Sequence, residues 1–535
     1  MSGFDHIVIG GGSAGFTAAA ALVRQGGRVL VLEAGGPADS WLLRMPAGFI
    51  RILAGTRYLT QHRTVPQEQL GGRVQVIPQG HVLGGGSSVN AQAYMRGRAA
   101  DYDAWNEIAG TDLWGWETML AHFRRLEGNV RFNNRWHGGD GPLRVGDHGF
   151  VCSLSHIFVR TLQGMGLDYT PDFNRGAPSG VGYLQITAAE GRRCSAVDAF
   201  LRPLAGEDRL QVVTGARVLR ILLERGRAVG VEYAHAGKRQ VARTDGELWL
   251  AAGAFVSPQL LLLSGIGPAD ELRGLGIEPL VDLPGVGRNL QDHPGAPIIA
   301  RARGRHGYYR QDRGHRMALN GLEYLLLRRG RAASTGVEAC SFHVPEDGTG
   351  DPVVQIYCVP TTGYVDEDVR DVPYVDGFAL HAVLLRPRAT GWVRLRSADP
   401  FAPPLVHPNY LGHHDDARHL LQGLRVAREI LAARPLSDIV VEEILPGPGA
   451  AGDEALERHM RRTVKTDFHP VGTCRMGRAD DPDAVTAPDL RLRGVEGLRV
   501  IDASVMPKLV SANTNAPTIA IADRAVSLYL GLPAS

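Results

Sequence analysis

The strongest constraint on this chain lies in its first 36 residues. A short apolar run, His6-Ile7-Val8-Ile9, leads into Gly10-Gly11-Gly12-Ser13-Ala14-Gly15. An alanine-rich stretch from Phe16 to Arg24 follows, then a second apolar run, Arg28 to Glu33, closed by Gly35-Gly36. Apolar runs of this length suit parallel strands buried on both faces, and the segment between them suits a crossover helix. The spacing Gly10-x-Gly12-x-x-Gly15 gives each glycine a task. Gly10 permits the turn, Gly12 lets the backbone approach a pyrophosphate, and Gly15 lets helix and strand pack closely. Glu33 follows Gly15 by 18 residues and can accept hydrogen bonds from a ribose. The unit predicts a bound dinucleotide and does not by itself separate NAD from FAD.

Composition agrees with a large bound ligand. The chain has 67 glycines in 535 residues, well above the usual level of about 7%. They follow no collagen-like period. Net charge is +2, from 58 Lys+Arg against 56 Asp+Glu, so no global field recruits nucleic acid. Cys152, Cys194, Cys340, Cys358 and Cys474 are widely spaced, which excludes a zinc ribbon or a disulfide framework and fits a reducing compartment. No stretch approaches the ~18 apolar residues of a transmembrane helix. Folding sequence begins at Phe4, which leaves no room for a cleavable signal peptide. A cytoplasmic location is expected, with peripheral membrane association left open.

Further along, residues 37–80 are turn-rich and residues 117–127 read as a helix. Residues 128–150 read as polar loop, and 209–233 as two strands around a turn at Glu224-Arg225-Gly226-Arg227. Glu247 to Ala252 is a buried strand before a helix at 258–264. From about 296 to 463 alternating runs such as Gly391 to Arg396 suggest antiparallel strands, with a helix from Ala417 to Ala433. A strand from Leu498 to Asp502 and a helix from about Pro517 complete the chain.

Five further segments point to one family. Gly80-His81-Val82-Leu83-Gly84-Gly85-Gly86-Ser87-Ser88-Val89-Asn90-Ala91-Gln92-Ala93-Tyr94 resembles the first signature of the glucose–methanol–choline (GMC) oxidoreductases. Gly253 to Gly267 resembles the second. Gly287-Arg288-Asn289-Leu290-Gln291-Asp292-His293, His469 to Gly477, and Ile501 to Ser504 with Asn513 to Thr518 are also similar to family segments, in the family's order. The resemblance implies FAD. Members that bind it covalently use a histidine where this chain has Val89, so non-covalent FAD is expected. His81 stands where relatives usually carry Arg, Lys or Asn, and its role is open.

Oxidising an alcohol removes a proton from oxygen and a hydride from carbon; histidine is the natural base. The resemblance makes His469 that base and Asn513, 44 residues later, the amide that donates to the substrate oxygen. Asn513 shaping a turn is the alternative. Asn515 is expected to cap the last helix and touch the flavin. The resemblance implies further FAD contacts at Gly10, Gly12, Ser13, Ala14, Gly15, Glu33, Ala34, Gly84, Gly85, Ser87, Asn90, Ala93, Val218, Asp502, Ala503 and Thr518. Phe468 is a candidate pocket wall or a core aromatic. Asp467 has two readings. A carboxylate there could bind a polyol or a cationic substrate or alter oxygen access; alternatively it faces solvent or pairs with an arginine.

The expected fold class is α/β, α+β overall. A Rossmann-like FAD-binding domain with a parallel sheet is built from 1–150, 190–295 and 464–535. A substrate domain of antiparallel sheet flanked by helices is built from 151–189 and 296–463. The expected activity is oxidation of a small-molecule alcohol to an aldehyde or ketone, as an alcohol dehydrogenase or oxidase. Electrons pass to oxygen or a quinone-like acceptor, no metal takes part, and the protein is a monomer or homodimer. An FAD-containing lyase or photodecarboxylase of the same fold, an NAD-dependent dehydrogenase and a silent FAD-binding protein are the alternatives.

Overall fold

A computed structural model describes residues 3–346, 350–363 and 372–533. Its first sheet has five parallel strands in the order Leu210–Thr214, Val29–Glu33, His6–Ile9, Glu247–Leu250, Leu498–Val500. The three central strands are buried at every position but Glu247, as a sheet covered on both faces requires. Helix Ser13–Arg24 follows the first strand directly, and the long C-terminal helix Asn515–Tyr529 packs against it.

The second large sheet has seven strands and is antiparallel. Its path runs Val440–Leu445, Pro294–Ala302, Gly377–Leu384, Val354–Val359, Ala339–His343, Gly180–Tyr183, and Lys465–Thr466 joins at Pro294–Ala302. Helix His414–Ala432 packs on one face through Leu420, Leu424 and Ala427. A separate apolar cluster with Tyr357, Val359 and Ala379 fills the other face. Gly377–Leu384 is buried at all eight positions.

Several elements differ from the sequence reading. Residues 209–235 hold three strands, because Leu210–Thr214 joins the parallel sheet and Arg217–Glu224 opens a separate hairpin with Arg227–His235. Lys238–Arg243 adds a third strand to that hairpin. The alternating segment at 391–396 is not in the large sheet. Trp392–Arg394 pairs with Leu405–His407, and Val393 and Val406 pack with Ile77, Phe255 and Leu290. The ribbon therefore lies against segments that the sequence assigns to the FAD-binding part. The stretch 128–150 holds two short paired strands, Glu127–Asn129 and Leu143–Val145. All five cysteines are buried and unbonded. Among the described residues no helix is long and apolar enough to cross a membrane.

Candidate active site

A cavity of about 520 Å³ lies between the two large sheets, a volume within the range of small-molecule and cofactor sites. One wall is made of backbone. The two glycine-rich segments touch there: Gly84 N donates to Gly11 O at 2.7 Å, and a Cβ on Gly85 would stand 3.0 Å from Gly12 Cα. Gly15 could not carry a side chain either, since its Cβ would lie 1.9 Å from Gly10 O. Glu33 is fixed by accepting from Gly11 N at 2.7 Å and Gly35 N at 2.6 Å. Burial raises its pKa, and these two amides oppose the shift.

The residues present fit a dinucleotide. Gly12, Gly86 and Gly253 line the cavity. A Cβ on Gly86 or Gly253 would meet no protein atom within 4 Å, and one on Gly12 only Gly85 Cα at 3.9 Å. The space where their side chains would stand is left to a ligand. Two helices begin at this cavity, at Ser13 and Asn515. Neither has a side-chain cap or an acidic residue in its first turn, so free N–H groups and positive helix ends face an anionic guest.

The opposite wall is made of side chains, and His469 is at its centre. Its main-chain N–H donates to Asp292 Oδ1 at 2.8 Å. Asp292 is buried and also accepts from Thr466 Oγ1 at 2.6 Å and Tyr410 OH at 2.5 Å. Phe468, between Thr466 and His469, has a left-handed backbone with φ of 66°. That conformation is uncommon for a bulky residue, and Thr466 Oγ1 holds it by accepting from Phe468 N at 2.7 Å.

The hydrogen-bond partners fix which nitrogen of His469 is basic. His293 Nε2 lies 3.1 Å from Leu385 O; a carbonyl only accepts, so Nε2 carries the hydrogen. Burial, reinforced by His469, lowers the His293 pKa to about 3. His293 is therefore neutral and its Nδ1 is an acceptor. His469 Nδ1, 2.9 Å away, donates to it. That leaves His469 Nε2 with its lone pair toward Asn513, whose Nδ2 donates at 3.1 Å. Tyr357 OH in turn donates to Asn513 Oδ1 at 3.4 Å, which sets the amide orientation.

Asp467 neither faces solvent nor pairs with an arginine. It is buried, with Oδ2 3.7 Å from His469 Nδ1 and Oδ1 3.6 Å from His381 Nε2. Burial works to raise its pKa, but His381 and the charges of the surrounding histidines lower it on balance. Asp467 is therefore an ionised carboxylate beside the His469 ring.

Of the residues singled out in the sequence, all but Gly15, Gly84 and Ser87 line this cavity. Ser87 turns inward, donating to Gly84 O at 2.6 Å and accepting from Ala196 N at 2.9 Å. Asn515 is not a cap. The helix starts on it, and its Oδ1 accepts from Ser13 Oγ at 2.7 Å. Asp502 accepts from Gly253 N at 2.8 Å, Ser257 Oγ at 2.5 Å and Ser504 N at 2.9 Å while lining the cavity. His81 and Val89 also line it.

Sequence reasoning gave no role to Tyr357, Val359, Arg217 or Phe401, all of which line the cavity. It also missed Arg193, which is buried and donates to Leu43 O, Ser87 O, Asn90 Oδ1 and Asn90 O. Arg193 thereby pins the loop beneath the cofactor wall. Burial lowers its pKa to about 9. His293 sits in a quoted motif, so a signal existed, but its contact with His469 spans 176 residues.

The N- and C-terminal family models of the GMC oxidoreductases match residues 4–295 and 387–522. An alcohol dehydrogenase (acceptor) of Pseudomonas putida is 38% identical over 98% of this chain and 96% of its own length. Human mitochondrial choline dehydrogenase is 37% identical over 99% of this chain and 90% of its own length. The crystal structure of pyridoxine 4-oxidase from Mesorbium loti superposes with a TM-score of 0.89 at 30% identity, covering 99% of each chain. The chain belongs to the GMC oxidoreductase family and is an oxidoreductase.

Proposed function

We propose that this protein binds FAD non-covalently and oxidises an alcohol to an aldehyde or ketone, with His469 as the base. The observation that carries the reading is His469 at the cavity, with Nδ1 2.9 Å from His293 Nδ1 and Nε2 3.1 Å from Asn513 Nδ2. Bound FAD supplies the two-electron acceptor for the substrate hydride. His469 Nε2 takes the hydroxyl proton. Asn513 Nδ2 donates to the substrate oxygen as negative charge develops. Asp467 steadies the imidazolium, and the uncapped helix at Asn515 favours anionic charge near its first turn.

The glycine wall, Glu33 and the helix starting at Ser13 hold the cofactor, within 1–150, 190–295 and 464–535. The opposing wall combines His469 and Asn513 from 464–535 with Tyr357, Val359 and Phe401 from 296–463. Val89 has no nucleophile to offer the flavin, and His81 is left unattached. Relatives named for alcohol and choline oxidation support this reading over a lyase or an NAD enzyme. The acceptor is oxygen or a quinone-like molecule, and the five free thiols fit a cytoplasmic location. The protein works as a monomer or homodimer.

A panel of primary and secondary alcohols with an artificial acceptor, run beside peroxide detection, tests the activity and separates dehydrogenase from oxidase. Acid precipitation tests the attachment: yellow flavin in the supernatant supports the reading, and yellow protein in the pellet refutes it.

A further inference from the structure

Helix Gly314–Leu327 wears its apolar side outward. Leu319, Leu322, Leu325, Leu326 and Leu327 are between 54% and 71% exposed, and Met317 is 50% exposed. Tyr324 is the one buried residue of the helix. Leu319, Leu322 and Leu326 recur at helical spacing on the face away from it, where a soluble surface helix carries polar groups. A contiguous apolar surface of this kind marks an interaction site.

The charges around the patch identify what it meets. Between residues 310 and 331 the chain carries six arginines against two acids, Asp312 and Glu323. Arg310, Arg313 and Arg329 are exposed. Outward leucines on a short helix flanked by an excess of arginines fit an interfacial membrane helix. At 14 residues the helix is about 21 Å long, too short to span a bilayer core of about 30 Å, but suited to lying in its plane. A second copy fits less well, because a twofold contact would set this arginine rim against itself.

The patch continues toward the cavity. Arg51, on helix Gly48–Leu53, donates to Asp312 O at 3.4 Å, and Ala47 N donates to Ala332 O at 3.2 Å. That short helix shows Ile50 to solvent at 49% exposure while Phe49 and Leu53 line the cavity. Trp41, on the preceding short helix, is 69% exposed.

We propose that the leucine face of helix Gly314–Leu327 docks this enzyme peripherally on an anionic phospholipid bilayer. The inference is independent of which alcohol is oxidised. Flotation of the full-length holoprotein tests it, with vesicles of phosphatidylcholine alone or mixed with phosphatidylglycerol. The protein is expected to float with the mixed vesicles, more strongly at low salt. The double variant Leu322→Glu, Leu326→Glu should lose at least about tenfold in partitioning, and Arg313→Gln or Arg329→Gln should each lose about fivefold on anionic vesicles only. An unchanged Tm and unchanged turnover with a soluble acceptor show that the variants are folded. Three results would overturn the proposal: no flotation of the wild-type protein, equal flotation of the double variant, or a wild-type dimer in sedimentation that the double variant splits without vesicles being bound.

Discussion

The two walls of the cavity are built by opposite means. The wall carrying Gly12, Gly85 and Gly253 is backbone, shaped by the absence of side chains. The wall carrying His469, Asn513 and Tyr357 is side chain, and each group is aimed by another group. A wall of backbone admits only glycine at its contact points, so it leaves a fixed spacing in the sequence. A wall of side chains leaves none, because many residues can fill the same space.

Substitutions can break this contrast. The largest effect is expected at the proposed base. His469→Ala should lower kcat about 10²- to 10⁴-fold while flavin absorbance persists; full turnover in that variant would refute its role. Removing the group that orients the base comes next. His293→Ala should cost about ten- to a hundredfold in kcat, the scale seen when a supporting residue is lost. His293→Asn, which can still present an acceptor, should recover part of the loss and restore the pH profile.

Two glycine variants probe the backbone wall. The Cβ of Gly12→Val projects into open space, so flavin affinity should fall more than about tenfold through lost backbone approach. The Tm of the apoprotein should hardly move. Gly15→Ala meets Gly10 O, so it should lower both. Matching behaviour of the two would mean that Gly12 has no ligand to accommodate. Tyr357→Phe should be milder, about threefold in kcat/KM, since a bond of 3.4 Å is a weak one.

The smallest effect is on stability against pH. Burial holds His459 and His62 at about 4 and His293 at about 3. Their unfolded forms titrate near 6.5, so between about 6.5 and 4 the unfolded chain binds more protons. Stability should fall as pH drops through that window and change little above it. Melting curves of His459→Gln should show a shallower acid slope than wild type; an identical slope would count against a neutral buried His459.

The same contrast explains what was legible in the sequence. The runs at His6 and Val29, with Gly10, Gly12 and Gly15 between strand and helix, announced the parallel sheet because each residue type is forced. The antiparallel sheet was harder. Gly377–Leu384 is covered on both faces and so shows no alternation, whereas the segment that alternates, Trp392–Arg394, belongs to a small ribbon elsewhere. Tyr357 reaches Asn513 across 156 residues of chain, and Arg193 reaches Leu43 across 150. Such contacts have no local pattern to read. His469 and Asn513 were found through family resemblance; their spacing alone would have singled out neither.

The hydrogen bonds from Tyr357 through Asn513, His469 and His293 all donate in one direction and end on the Leu385 carbonyl. A main-chain carbonyl can neither release nor store a proton. For the base proposed above, this line of bonds offers no onward relay, and the acceptor at the rear is instead the Asp467 carboxylate, 3.7 Å from His469 Nδ1. Asp467 lines the same cavity as His469, so the proposed proton and the proposed carbonyl product would share one exit.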